Sequence, residues 1–136
     1  MIKHALWLIG IFFLLSCTDQ ASSTDSGNQQ PIRDVSVSEA AALIDADENI
    51  VVLDIRTPEE FSGGHIEGAI NIDYYADDFE EKLALLDRET TYIMHCQSGG
   101  RSGRTENVLE KLGFKDIAHL KSGMAGWRKE GMPEVR

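Results

Sequence analysis

Cys96 is followed by Gln97, Ser98, Gly99, Gly100, Arg101 and Ser102. A cysteine that ends an apolar run and opens a turn rich in glycine is placed to become an activated nucleophile. Gly99 and Gly100 permit tight curvature and positive φ, so successive backbone N–H groups can turn inward as an anion-binding nest, and the dipole of a following helix reinforces it. Such surroundings draw a thiol below its ordinary value of about 8.5 and leave the thiolate present near neutral pH. Arg101 is expected to add positive potential, and the sulfur is expected to be open to solvent. The competing reading is a small buried hydrophobe closing a strand, a common fate of free cysteine. A residue of that kind has no use for two glycines and an arginine directly after it.

The elements around this segment are legible in the sequence. Tyr92 to His95 (YIMH) reads as a buried strand leading into Cys96. Thr105, Val108, Leu109 and Leu112 then repeat at helical spacing up to Gly113, a natural stop, with Phe114 beyond it. Ile50 to Ile55 (IVVLDI) is an almost unbroken β-branched run, the signature of a strand buried on both faces, and is expected at the sheet centre. Ser36 with Glu39 makes a capping box ahead of Val37, Ala40, Ala41 and Ile44, and Thr57, Pro58 and Glu60 make a second one with a proline in the first turn. Gly63 and Gly64 stop that helix, and Ile70 to Ile72 looks like a short strand. Phe79, Leu83 and Leu86 share a helical face. Ile117 to Leu120 reads as the last strand, and Met124 with Trp127 as the inner face of a final helix. Strands alternating with helices predict an α/β fold with crossover connections, and place Cys96 at the carboxyl edge where such sheets carry their sites.

The chain has 136 residues, 42% of them hydrophobic and 26% charged, a balance that fits one globular domain. Thirteen Lys plus Arg against twenty-three Asp plus Glu give a net charge of −10, which disfavours nucleic acid and anionic lipid as partners. Cys17 and Cys96 lie far apart in very different surroundings, which argues against a disulfide-stapled scaffold and against a cysteine-rich metal module, and the four histidines show no metal-ligand spacing. Met1 to Ser16 carries Lys3 and His4 and then the apolar run Ala5 to Leu15, the pattern of a secretory signal peptide. Eleven apolar residues rise about 17 Å as a helix against a hydrocarbon core of about 30 Å, so a permanent span is disfavoured. Leu14, Leu15 and Ser16 before Cys17 resemble the lipobox of bacterial lipoproteins, which implies a diacylglycerol on Cys17; an incidental cysteine near an ordinary cleavage site is the alternative. Thr18 to Pro31 has one Ala as its only apolar residue and reads as a flexible tether over 17–31, leaving 32–136 as the folded domain.

Three blocks, DIRTPEEFSGGHIEGAINI (Asp54 to Ile72), CQSGGRS (Cys96 to Ser102) and GFKDIAHLKSGMAGW (Gly113 to Trp127), resemble the rhodanese family of sulfurtransferases in content and order. The cysteine phosphatase loop is the nearest competitor, but it places five residues between cysteine and arginine where this chain has four. A shorter loop makes a narrower ring of amides, suited to one sulfur atom. The resemblance implies a five-stranded parallel sheet with helices on both faces. It further implies a Cys96 persulfide intermediate, loop amides from Gln97 to Ser102 that hold its charge, and an Arg101 that orients anions. The implied donor is thiosulfate or a persulfide and the implied acceptor a thiol or cyanide, with no other cofactor and a monomeric chain. Gln97 stands where many members carry a basic residue, which counts against thiosulfate.

Asp54 and Arg56 match a family pair near the loop and are expected to brace it. His65 is expected to be a hydrogen-bonded turn residue, and Trp127 a core residue. His95 should point away from the thiol because neighbours on a strand face opposite sides. Arg104 either adds positive potential or lies on a solvated helix face. The functional reading is therefore an envelope-anchored sulfurtransferase facing the periplasm, or a secreted one if Cys17 is not lipidated. The alternative is an accessory module that uses Cys96 as a sulfur carrier, thiol sensor or part of a partner-binding surface.

Overall fold

The structure, a computed structural model, describes residues 30–136. The signal segment 1–16, Cys17 and the tether as far as residue 29 lie outside the described residues. Among those described, no helix is long and apolar enough to cross a membrane.

Strands β1 (Ile32–Val35), β2 (Val51–Asp54), β3 (Ile70–Asn71), β4 (Tyr92–His95) and β5 (Ile117–Leu120) form one parallel sheet in the order β1-β5-β4-β2-β3. Helices α1 (Val37–Ala46), α2 (Pro58–Ser62), α3 (Phe79–Ala84) and α4 (Gly100–Leu112) lie in the connections between strands, and α5 (Gly123–Lys129) follows the last one. Alternation along the strands gives the sheet two apolar faces. Val52, Ile93 and Ala118 pack with Val37, Ala40, Met124 and Trp127 from α1 and α5. Leu53, Met94 and Ile117 pack with Phe79, Leu83 and Leu109 from α3 and α4. The expected α/β sheet with helices on both faces is thus present.

Local chemistry sets the helix starts. Ser36 Oγ accepts from the Glu39 N–H at 3.2 Å while Glu39 Oε2 accepts from the Ser36 N–H at 2.7 Å, the reciprocal capping box read from the sequence. Thr57 and Glu60 repeat it at the start of α2, with Pro58 in the first turn.

Three positions differ from expectation. The Ile50–Ile55 run supplies β2, which is interior, but the centre of the sheet belongs to β4, with two strands on either side. Helix α4 begins at Gly100, inside the segment expected to be loop, because Gly99 at φ 92° completes the turn by itself. Strand β1 was not foreseen; its sequence IRDV carries little periodicity, and its pairing with β5 from Ile32↔Ile117 to Val35↔Leu120 is what makes it a strand. Ile93 on β4 is fully buried, so Ile93→Ala should lower unfolding free energy by about 2–5 kcal/mol in urea denaturation. A loss below about 1 kcal/mol would show that the core does not centre on this strand.

Candidate active site

Strand β4 ends one residue before Cys96, and α4 starts four residues after it. Between them the chain reverses around the cysteine sulfur. The Gly99 N–H donates to Cys96 Sγ at 3.1 Å, and Ser102 Oγ lies 3.4 Å from it. Burial pushes the thiol up, but the Ser102 hydroxyl and the amides of Ser102, Ser98 and Gly99 outweigh it, so the net displacement is below the ordinary thiol value. The nest read from the sequence is present, and its donors are backbone amides and a serine.

Inward amides require outward carbonyls, and α5 receives them. The N–H of Met124 donates to the Cys96 carbonyl at 3.0 Å, and the N–H of Ala125 to that of Gln97 at 2.9 Å. This approach is possible only for glycines. A Cβ at Gly123 (φ 59°) would press on the Cys96 and Gln97 carbonyl groups, and one at Gly99 would overlap the Lys121 carbonyl oxygen.

One expectation is corrected here. The sulfur is not open to solvent: Cys96 is 1% exposed, packed in the core layer with Met94 and Leu109. The cysteine is both a buried residue and an anion site, because the cradle closes over it.

Arg101 also differs from the simple expectation of a free cation. Its two terminal nitrogens donate to Glu60 Oε2 at 2.7 Å and Oε1 at 2.8 Å, and its guanidinium lies 5.6 Å from the Tyr75 ring centroid. The Arg101 hydrogen bonds hold the Glu60 carboxyl down at about 2, and Glu60 in turn holds Arg101 above its ordinary value. Glu60 therefore has two duties, capping α2 and clamping the far end of the cysteine loop. Only the first was visible in the sequence, because 41 positions separate it from Arg101.

Asp54 and Arg56 brace the site from the α2 side. Arg56, fully buried, donates to both Asp54 oxygens and to the carbonyls of Glu60 at 3.2 Å and Gly64 at 2.9 Å, fixing α2 and so the Glu60 clamp. His95 restrains the loop from the strand side. Its Nδ1 meets the Cys96 carbonyl at 3.0 Å while Nε2 lies 3.6 Å from Asp54 Oδ2 without a hydrogen bond. Burial keeps His95 neutral, and its ring does not address the sulfur, as strand alternation predicts.

The remaining candidates fall as follows. His65 stacks on Phe61, bonds the Phe61 carbonyl at 3.0 Å and pairs with Val135, the turn role expected of it. Trp127 is in the core, and Arg104 lies exposed on α4. Sequence reasoning passed over His119, a lone polar side chain in the apolar strand β5; it is 2% exposed and its Nε2 is 2.8 Å from Ser102 Oγ. Asp34, Glu106 and His119 bring potential ligand atoms within 4.8 Å of one another. Both Asp34 oxygens and both His119 nitrogens are already engaged, by Lys121, Ser102 and each other, which suits a hydrogen-bond network better than a metal.

A parallel α/β sheet that delivers a buried cysteine into a ring of amides at its carboxyl edge defines a thiolate-holding site. The family description Rhodanese-like domain matches residues 36–130, and the chain belongs to that family. It is 33% identical over 103 residues to "Putative sulfurtransferase YtwF" of Bacillus subtilis, covering 76% of this chain and 97% of that protein. It is 37% identical over 91 residues to "Thiosulfate sulfurtransferase 16, chloroplastic" of Arabidopsis thaliana, covering 60% and 76%. The crystal structure of a rhodanese-related protein from Thermoplasma volcanium superposes with a TM-score of 0.67 at 31% identity, covering 76% of this chain and 97% of that one.

A carboxyl whose folded value lies below its unfolded one stabilises the fold above the unfolded value and ceases to do so as pH falls through the folded one. For Glu60 that window runs from about 4.5 down to about 2. Glu60→Gln should therefore flatten the acid limb of stability in that window, measured by thermal unfolding against pH. Parallel acid limbs for the two proteins would remove the clamp.

Proposed function

We propose that the chain is a sulfurtransferase working through a Cys96 persulfide. The Cys96 thiolate attacks the outer sulfur of a donor and forms an S–S bond, and the donor's leaving group departs with the bonding electron pair, as sulfite from thiosulfate or as a thiolate from a persulfide. An acceptor thiolate or cyanide then attacks the terminal sulfur, and Cys96 leaves again as thiolate, a two-step cycle of nucleophilic catalysis. The observation that carries this reading is the Gly99 N–H on Sγ at 3.1 Å, backed by Ser102, in a loop of one cysteine-to-arginine turn. Amides from Gln97 to Ser102 hold the anion in both states. The named sulfurtransferases among the relatives point the same way.

The charge pattern of the loop favours a persulfide as donor. Glu60 neutralises Arg101, and Gln97 brings no charge of its own, so neither of these loop residues offers a free cation to a dianion such as thiosulfate. Export by residues 1–16, lipid attachment at Cys17 and a periplasm-facing position belong to the same proposal, supported by the charged start, short apolar run and lipobox-like residues of the sequence. So does a monomer that needs no cofactor besides its own persulfide.

Incubation with a small persulfide should add one sulfur atom to the intact mass, faster than thiosulfate does, and Cys96→Ser should abolish the gain. Failure to gain sulfur from any donor would transfer the domain to the accessory-module class. Separately, acyl-chain labelling in a bacterial host should mark the chain and be lost in Cys17→Ala; an unlabelled chain cut at another residue would refute the anchor.

A further inference from the structure

His119 lies behind the cysteine loop, on β5, out of contact with the sulfur. Its Nδ1 is 2.7 Å from Glu106 Oε1 and 3.1 Å from Asp34 Oδ1. Carboxylates only accept, so Nδ1 carries a proton in every state of the ring. The other nitrogen, Nε2, faces Ser102 Oγ at 2.8 Å. Ser102 has one hydroxyl proton and three neighbours that could take it: Nε2 at 2.8 Å, the Gly99 carbonyl at 3.2 Å and Cys96 Sγ at 3.4 Å. With a neutral ring, Nε2 presents a lone pair and claims that proton, and the sulfur receives nothing from Ser102. Only when Nε2 is itself protonated does it donate to Oγ and free the hydroxyl to turn toward a thiolate.

We propose that the Cys96 thiol proton is stored on His119, with Ser102 as the relay. On ionisation the S–H proton passes to Ser102 Oγ while the hydroxyl proton passes to His119 Nε2. The products are a thiolate in the amide cradle and an imidazolium between Asp34 and Glu106. One proton moves at each step, and no electrons are exchanged. The groups facing this chain are Asp34 from β1, Glu106 and Ser102 from α4, His95 from β4, and Lys121, which follows β5 and binds Asp34 Oδ2 at 2.9 Å. His95 is kept neutral by its burial and so does not oppose the second ring's charge, while Arg101 is engaged by Glu60. His119 is thus a positioning residue that acts through Ser102. The inference deepens the sulfurtransferase reading, yet thiol ionisation can be read without any sulfur donor, so the two can fail separately.

The test is the pH profile of iodoacetamide alkylation on the full chain, resolved by peptide mass mapping so that Cys17 is scored apart from Cys96. In His119→Gln the Cys96 inflection should move up by about one pH unit, lowering the rate about tenfold on the acid side. Ser102→Ala should do the same, and the double variant should lose no more than Ser102→Ala alone, because one path is cut twice. Coincident profiles for His119→Gln and the wild type, or losses that add in the double variant, would overturn the relay. Should either variant fold poorly, ring-proton NMR of the otherwise native chain decides: the His119 titration should shift on alkylation of Cys96, and an unmoved titration rejects the proposal.

Discussion

Placing an anionic sulfur where little solvent reaches it is the constraint to which the rest of this structure answers. Cys96 is 1% exposed. Removing a charge from water costs several kcal/mol even after relaxation, and each hydrogen bond to a charged group returns about 1.5–3 kcal/mol. One donor is therefore too few, and the chain must aim several amides at one atom. Amides can be gathered that way only if the matching carbonyls have somewhere else to go. The first turn of α5 gives the Cys96 and Gln97 carbonyls their partners. Gly99 and Gly123 allow the two segments to approach. The sheet, by ending β4 at His95, fixes where the turn starts.

The bracing around the loop follows from the same need. An amide nest is held by peptide-plane orientation, which a small rotation would spoil. Glu60 restrains the loop from the α2 side through Arg101, and His95 restrains the Cys96 carbonyl from the strand side. The first traces back to Asp54 and Arg56, a buried pair whose hydrogen bonds reach the Glu60 and Gly64 carbonyls and not the sulfur. A fully buried arginine with a carboxylate adds little net stability over an apolar pair of similar volume. Its retention here is explained by geometry: it ties β2, α2 and the 60–64 carbonyls into one rigid corner against which the cysteine loop rests.

What could be read from the sequence was whatever is local. Ser36 with Glu39 and Thr57 with Glu60 act over three residues, and their capping boxes are present as read. The β-branched run of β2, the largely apolar run of β5 and the α4 periodicity act over one element, and they too match. The misses share a different cause. Strand β1 exists because it lies against β5, some 85 residues away. Glu60 meets Arg101 across 41 residues, and His119 meets Asp34 across 85. Neither contact leaves a mark in local spacing, although a single histidine in the otherwise apolar Ile117–Leu120 strand is a polar residue that had to find partners. The burial of Cys96 was missed for a related reason: glycines announce a loop, and loops are ordinarily exposed, but here α5 takes up the loop carbonyls while the cysteine packs in the core layer with Met94 and Leu109.

A cradle of dipoles whose Arg101 is already paired has a consequence for the proposed cycle. Thiolate and persulfide both carry a single negative charge, displaced from each other by one S–S bond of about 2.05 Å. A bare arginine would bind dianionic donors tightly and hold sulfite after transfer. With Arg101 already matched by Glu60, that attraction for a departing dianion is weakened. In the proposed cycle, by contrast, peptide N–H groups at the start of α4 would serve either anion at nearly the same place. In such an arrangement the protein adds little bias to the two half-reactions, and their direction is left to the donor and acceptor. A carrier must give up its cargo as readily as it takes it, and a neutralised arginine beside a ring of amides is a physical means of meeting both demands.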